Sequence, residues 1–184
     1  MHRIIGVAGA PGSGKTTYAT ALAAELGAAY LPMDGFHLAD VALDALGLRA
    51  SKGAPETFDA HGYAALLRRV REERDHVVWA PGFERDLEQP LAGAIAVPPE
   101  ADVVVTEGNY LLLDQPAWRE VRAELDECRY LEVDDTVRRA RLVARHVRFG
   151  KTPAEAEAWV ARVDEPNAAL VLASRARADL VVTA

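Results

Sequence analysis

Gly9-Ala-Pro-Gly-Ser-Gly14-Lys15-Thr16 decides how this chain is read. The run satisfies G-x-x-x-x-G-K-[ST], follows the apolar stretch Arg3–Ala8 and opens a helical pattern at Lys15. Glycines at these positions let the backbone turn its N–H groups inward around phosphate oxygens, and the helix that follows adds the positive end of its dipole. Lys15 then reaches the β and γ phosphates of a nucleotide, and the Thr16 hydroxyl ligates Mg²⁺. The expected nucleotide-binding set is Gly9, Ala10, Pro11, Gly12, Ser13, Gly14, Lys15, Thr16 and Thr17. With 13 Gly, 3 Lys and 11 Ser plus Thr, about one shuffled sequence per thousand would match by accident. Lysine is scarce beside 18 arginines, so a lysine at this position is a choice of chemistry: a point charge on a flexible stem fits the loop and a planar fork does not. A dinucleotide-binding turn fails because Thr17 stands where the third glycine belongs.

Outward from this loop, β-rich apolar runs alternate with helical patterns, the order of a mostly parallel sheet flanked by helices. Strands are predicted at Arg3–Ala8, Ala29–Met33, His76–Trp79, Asp102–Thr106, Arg129–Val133 and Asp179–Val182. Helices are predicted at Lys15–Leu26, Ala60–Arg74, Pro116–Leu125, Thr136–Arg148, Thr152–Val163 and Glu165–Arg175. The Pro- and Gly-rich stretches Gly47–Pro55, Pro81–Pro90 and Val97–Pro99 read as loops. The fold class is a three-layer α/β phosphate-loop fold, expected as one domain over residues 1–184 with an arginine-rich helical lid near 136–152.

The 184 residues are 50% apolar and 27% charged, enough for a core without disulfides or structural metal. A net charge of −7 argues against nucleic acid and anionic membrane as partners. Cys128, the single cysteine, sits in a strand-like run and reads as a buried, inert thiol in a reducing compartment. The first residues read as a strand rather than a leader, and the expected location is cytoplasmic. The expected partner is a small molecule bearing a hydroxyl group, with homodimer formation left open.

Ligands of open parallel sheets bind beyond the carboxyl ends of the strands, so polar residues there are the candidates. Met33-Asp34-Gly-Phe-His37 follows the second strand, and Glu107-Gly-Asn-Tyr110 follows the strand through Thr106. Phosphoryl transfer needs one carboxylate to orient and deprotonate the acceptor and another near the metal. Asp34 is assigned the first role and Glu107 the second. No acidic residue falls between Thr136 and Ala154, and Arg138, Arg141, Arg145 and Arg148 share one helix face. Four unpaired arginines on one stripe suit a phosphate clamp that closes as a lid, with Arg141 and Arg145 at its centre.

These segments resemble the P-loop kinases that include uridine kinase, phosphoribulokinase and bacterial pantothenate kinase. Within that group they are similar to small bacterial proteins described as nucleoside/nucleotide or fructose-transport-system kinases. Met33-Asp-Gly-Phe-His37, Lys52-Gly-Ala-Pro-Glu-Thr-Phe58-Asp59, Glu107-Gly-Asn-Tyr-Leu-Leu and Ser174-Arg-Ala-Arg-Ala-Asp179 carry the resemblance over nearly the whole chain. It implies ATP as phosphoryl donor with Mg²⁺, Asp34 as base, and Asn167 near the adenine. Asp34, His37, Lys52, Phe58, Glu107 and Tyr110 are the expected acceptor-side residues, joined by Arg85 from its loop position alone. Pro81-Gly-Phe-Glu-Arg-Asp-Leu-Glu88 departs from the Tyr- and His-rich segment of uridine and pantothenate kinases. A nucleotide-dependent switch that hydrolyses ATP slowly and acts on a protein partner is the rival expectation. A guanine-specific switch lacks its Asn-Lys-x-Asp motif here.

Overall fold

The computed structural model describes residues 2–183. Five parallel strands form the main sheet: β1 (Arg3–Ala8), β2 (Ala29–Pro32), β5 (Val103–Gly108), β6 (Glu127–Glu132) and β7 (Leu180–Thr183), in the spatial order β2-β5-β1-β6-β7. Side chains alternate across β1. Ile5 and Val7 pack on Ala19, Leu22 and Ala23 of α1 (Lys15–Leu26), whereas Ile4 and Ala8 join a core on the opposite face. That second core is filled by α3 (Ala60–Glu72), α4 (Pro116–Ala123) and α7 (Glu165–Ala173), through Leu67, Val70, Trp118, Val121, Ala168 and Val171. A sheet covered on both faces is the expected three-layer architecture, and it explains why its strands read as near-continuous apolar runs.

The helices α5 (Asp135–Arg148) and α6 (Pro153–Trp159), followed by a π-turn at Val160–Asp164, complete the path back to α7. Asp134 caps α5 by accepting from the N–H groups of Thr136 and Val137, and Thr152 with Glu155 forms a capping box on α6. The short α2 (Asp40–Leu46) has no counterpart among the predicted helices.

One stretch differs from the sequence expectation. Pro81–Pro90 is not a loop but the turn and flanking strand ends of an antiparallel hairpin, β3 (Val78–Glu84) with β4 (Gln89–Val97), which is separate from the main sheet. Pro81, Gly82, Pro90 and Gly93 suppress the strand signal, yet a two-stranded ribbon tolerates proline on its outward edges, and the register shifts between Ala80 and Gly82.

Candidate active site

The register of the sheet assembles the site. Val7 of β1 and Pro32 of β2 both stand opposite Glu107 of β5, so the segments leaving all three strands meet at one edge. The loop after β1 turns through Gly12 at φ 81° and Gly14 at φ 92°, in the left-handed region that glycine occupies without strain. Gly14 is also the N-cap of α1. It supplies no side-chain cap, and no acidic residue lies in the first turn. The first amides of α1 therefore keep their hydrogen-bonding capacity for an anion, unlike those of α5 and α6. The Ser13 hydroxyl is buried and has no partner among the described residues.

Lys15 is buried and donates to the Ala10 carbonyl at 3.3 Å. Burial lowers its pKa, while Glu107 and Asp34 pull the other way. Glu107 is buried, and burial raises its pKa against the attraction of Lys15. Its Oε1 accepts from the Thr16 hydroxyl at 3.1 Å and from the Tyr30 hydroxyl at 3.1 Å. Asp34 sits on a 3-10 turn at Met33–Phe36. Burial raises its pKa, but His37, Arg85 and Lys15 outweigh burial and hold the carboxylate below its ordinary range. A Cβ on Gly35 would strike the backbone of Pro81, so glycine there lets the hairpin press against the turn that carries Asp34.

A cavity of about 570 Å³ runs from this edge between the hairpin and the lid. Lys15, Thr16, Asp34 and Glu107 line one end, Lys52, Phe58, Phe83, Arg85 and, through its contact with Gly53, Asn167 the hairpin side, and Arg145 and Trp159 the lid side. Arg85 donates to Asp34 at 2.5 Å and lies over the Phe83 ring at 4.9 Å. Lys52 donates to Asp40 at 2.7 Å and to the Glu88 carbonyl at 2.5 Å, tying the hairpin turn to α2. His37 is stacked between Phe58 and Phe83, and Nδ1 bonds the Asp34 carbonyl at 2.9 Å.

Two sequence expectations change. Arg138 is not an unpaired lid arginine: its side chain is 3% exposed and bonds Glu165, Asp135 and the Pro11 carbonyl. The absence of acids between Thr136 and Ala154 concealed partners on either side of that interval, Asp135 next to it and Glu165 well beyond. Arg141 donates to the Ser13 carbonyl at 3.2 Å and Arg145 lines the cavity, so these two remain beside the phosphate loop. Tyr110 does not reach the cavity. It is fully buried against Trp118, and its hydroxyl supports the Gly53 carbonyl from beneath. Asn167 bonds that same carbonyl at 3.4 Å, which puts it on the Lys52–Gly53 side of the cavity. Thr17 is exposed one residue beyond Thr16. Sequence reasoning passed over Tyr30, Asp40, Phe83, Trp159 and Asp164. Tyr30 sits in a strand whose pattern shows no chemistry. Asp164 is brought to the cavity by the π-turn, where it meets His146 at 2.8 Å.

Thr16 and Glu107 are hard oxygen donors side by side, which suits Mg²⁺, an ion that takes one or two protein oxygens and completes its shell with phosphates and water. The described residues contain no cluster of three or more His, Cys, Asp or Glu that would make an all-protein metal cage.

A glycine-rich loop leading into an uncapped helix, with a lysine, a hydroxyl and two carboxylates at the sheet edge, defines a P-loop phosphotransferase site. Residues 4–184 match the model of the phosphoribulokinase/uridine kinase family, and the chain belongs to that family of P-loop kinases. It is 37% identical over 166 residues to "Putative uridine kinase C227.14" of Schizosaccharomyces pombe, covering 84% of this chain and 71% of that protein. It is 39% identical over 179 residues to YggC of Escherichia coli K12, covering 94% and 73%. The crystal structure of a "putative fructose transport system kinase" from Silicibacter sp. TM1040 superposes with a TM-score of 0.92 at 40% identity, covering 98% of this chain and 89% of that one. No helix of the described residues is long and apolar enough to cross a membrane.

Proposed function

We propose that this protein transfers the γ-phosphoryl group of ATP to a hydroxyl group of a small metabolite. The observation that carries the reading is the convergence of Lys15, Asp34 and the Thr16–Glu107 pair on one end of a cavity whose other end is walled by aromatic and cationic side chains. In the transfer, the acceptor hydroxyl gives its proton to the Asp34 carboxylate and its oxygen bonds the γ-phosphorus. The bond from that phosphorus to the β–γ bridging oxygen breaks, and ADP leaves. Lys15 and the amides at the start of α1 bind the phosphates. Arg141 and Arg145 reach them from the lid, where they stabilise charge that grows in the transition state. Mg²⁺ held at Thr16 and Glu107 would screen the phosphate charge.

The acceptor lies between Asp34, the Lys52–Asp59 segment and the hairpin, against His37, Phe58 and Arg85. Asn167, with its contact to Gly53, belongs to this acceptor wall rather than to the adenine. Tyr30 is a positioning residue: its hydroxyl and that of Thr16 share Glu107 Oε1 and fix the carboxylate. The test is ADP release from Mg-ATP with a panel of pantothenate, pyrimidine nucleosides, fructose, other small sugars and hydroxy acids, with Lys15→Ala as blank. Stimulation by one class, lost in the blank, supports the kinase reading. Lys15-dependent hydrolysis that no acceptor stimulates supports the switch reading instead.

A further inference from the structure

Asp34, the proposed base, is already engaged. The guanidinium of Arg85 donates to its Oδ2, and among the described residues Asp34 is the one carboxylate within ion-pair distance of Arg85. Of the five N–H groups on a guanidinium, this bond uses one. A carboxylate held this way is a poorer proton acceptor, and Arg85 is among the groups that hold Asp34 below its usual range. The arrangement suits a resting site and obstructs the transfer step.

The surroundings show which partner can move. Arg85 sits at the tip of the β3–β4 hairpin with its side chain 49% exposed, and only the face of Phe83 lies beneath it. Lys52, 5.8 Å from the centre of the same ring, is fixed by Asp40 and the Glu88 carbonyl. Asp34 is fixed by its tight turn and by the hairpin pressed against Gly35. His37 is tied to the same turn, and burial lowers the pKa of its ring. Because a carbonyl oxygen can only accept, its Nδ1 carries the proton of that bond, and the ring is held between Phe58 and Phe83. Arg85 is thus the cation able to leave Asp34, and a guanidinium fork leaves one anion readily only for another.

We propose that the acceptor carries an anionic group close to its reacting hydroxyl, and that this group draws Arg85 off Asp34 as it binds, releasing the carboxylate to take the hydroxyl proton. The acceptor class is a hydroxy-carboxylate or a phosphorylated polyol, which offer the same oxyanion chemistry to the fork. The proposal rests on the kinase reading above and deepens it. Arg85 is then both the specificity-determining residue and the latch on the base.

Two measurements test it. The first needs no acceptor: in Arg85→Ala the base is released, and Lys15-dependent ATP hydrolysis, with water as acceptor, is expected to rise at least threefold. The rise is expected to vanish in the Arg85→Ala, Asp34→Asn double variant. Unchanged or lowered hydrolysis in Arg85→Ala overturns the latch. The second compares matched acceptors: glycerol, glycerate and glycerol phosphate; pantothenol and pantothenate; fructose and its phosphates. In the wild type the anionic members are expected to have at least tenfold higher kcat/KM than the neutral ones, and the carboxylate and phosphate arms separate the two sources of charge. Arg85→Ala is expected to raise KM for the anionic member and to collapse that preference. A neutral acceptor used as well as its anionic counterpart overturns this proposal and leaves the kinase reading standing. A panel flat in both arms removes both.

Discussion

Replacing Arg138 separates an arginine that holds the lid from arginines that act on phosphate. The Arg138 side chain is 3% exposed and bonds Glu165 at 2.6 Å, Asp135 at 3.0 Å and the Pro11 carbonyl at 3.5 Å. Gly12 packs directly beneath it, since a Cβ there would meet the Arg138 carbonyl at 2.7 Å. Arg138→Ala takes from Glu165 its buried partner, and breaking a buried pair costs about 3–5 kcal/mol. Glu165 is 24% exposed and keeps Arg139 at 2.6 Å, so water and a second partner reduce the loss to about 2–3 kcal/mol. For a chain of this length that lowers Tm by about 5–10 °C. Thermal unfolding followed by circular dichroism reads the shift, and ADP release well below the transition reads activity. Arg138→Ala is expected to lose stability and keep kcat within a few-fold. Arg145→Ala, exposed and in the cavity wall, is expected to keep its Tm and lose kcat. An Arg138→Ala protein with unchanged Tm and a kcat as low as that of Arg145→Ala would refute the assignment.

Asp34→Asn should lower kcat by about 10²- to 10⁴-fold, with binding of a non-hydrolysable ATP analogue retained; normal turnover would remove Asp34 from the mechanism. Tyr110→Phe deletes the donor to the half-buried Gly53 carbonyl, which Asn167 alone satisfies poorly at 3.4 Å. The expected loss is about 1 kcal/mol of stability with a raised acceptor KM and an unchanged ATP KM. The Cys128 thiol, pushed up to about 12 by burial, should resist iodoacetamide at pH 8 in the folded protein and react stoichiometrically once unfolded. Reaction of the folded protein at the rate of the unfolded one would contradict its place in the core.

The parts of the site closest to the backbone were the most legible. β1 and α1 are found at Arg3–Ala8 and Lys15–Leu26, the bounds expected from the sequence, because the glycines and the lysine between them specify one local geometry. The other strands of the main sheet lie within a few residues of their expected places, since β-branched apolar runs carry a strong strand signal even in the largely exposed β7. The hairpin was hidden because β4, Gln89-Pro-Leu-Ala-Gly-Ala-Ile-Ala-Val97, is rich in residues of low β-propensity and mostly exposed. Its pairing is a property of two segments together. Arg138 failed for a similar reason. Helical spacing shows which residues share a face, but it does not show that Glu165, 27 residues away, folds back onto that face. Tyr110 was drawn toward the acceptor by its neighbours in the sequence, whereas the turn after β5 sends it into the core.

The separation of the β3–β4 hairpin from the main sheet makes acceptor choice modular. No strand of the five-strand sheet depends on β3 or β4 for a backbone hydrogen bond, so their length, turn and tip can vary without disturbing the nucleotide cradle. Three fastenings hold it: the buried side chains of Val78, Ala80 and Val97 in the core, the Lys52 ammonium on the Glu88 carbonyl together with the Gln89 amide oxygen on the Asp40 N–H, and the bare backbone of Gly35. A transplanted hairpin that keeps these three fastenings would bring its own tip residues to Asp34, so a single contiguous segment could be exchanged to redirect one phosphoryl-transfer engine to new substrates.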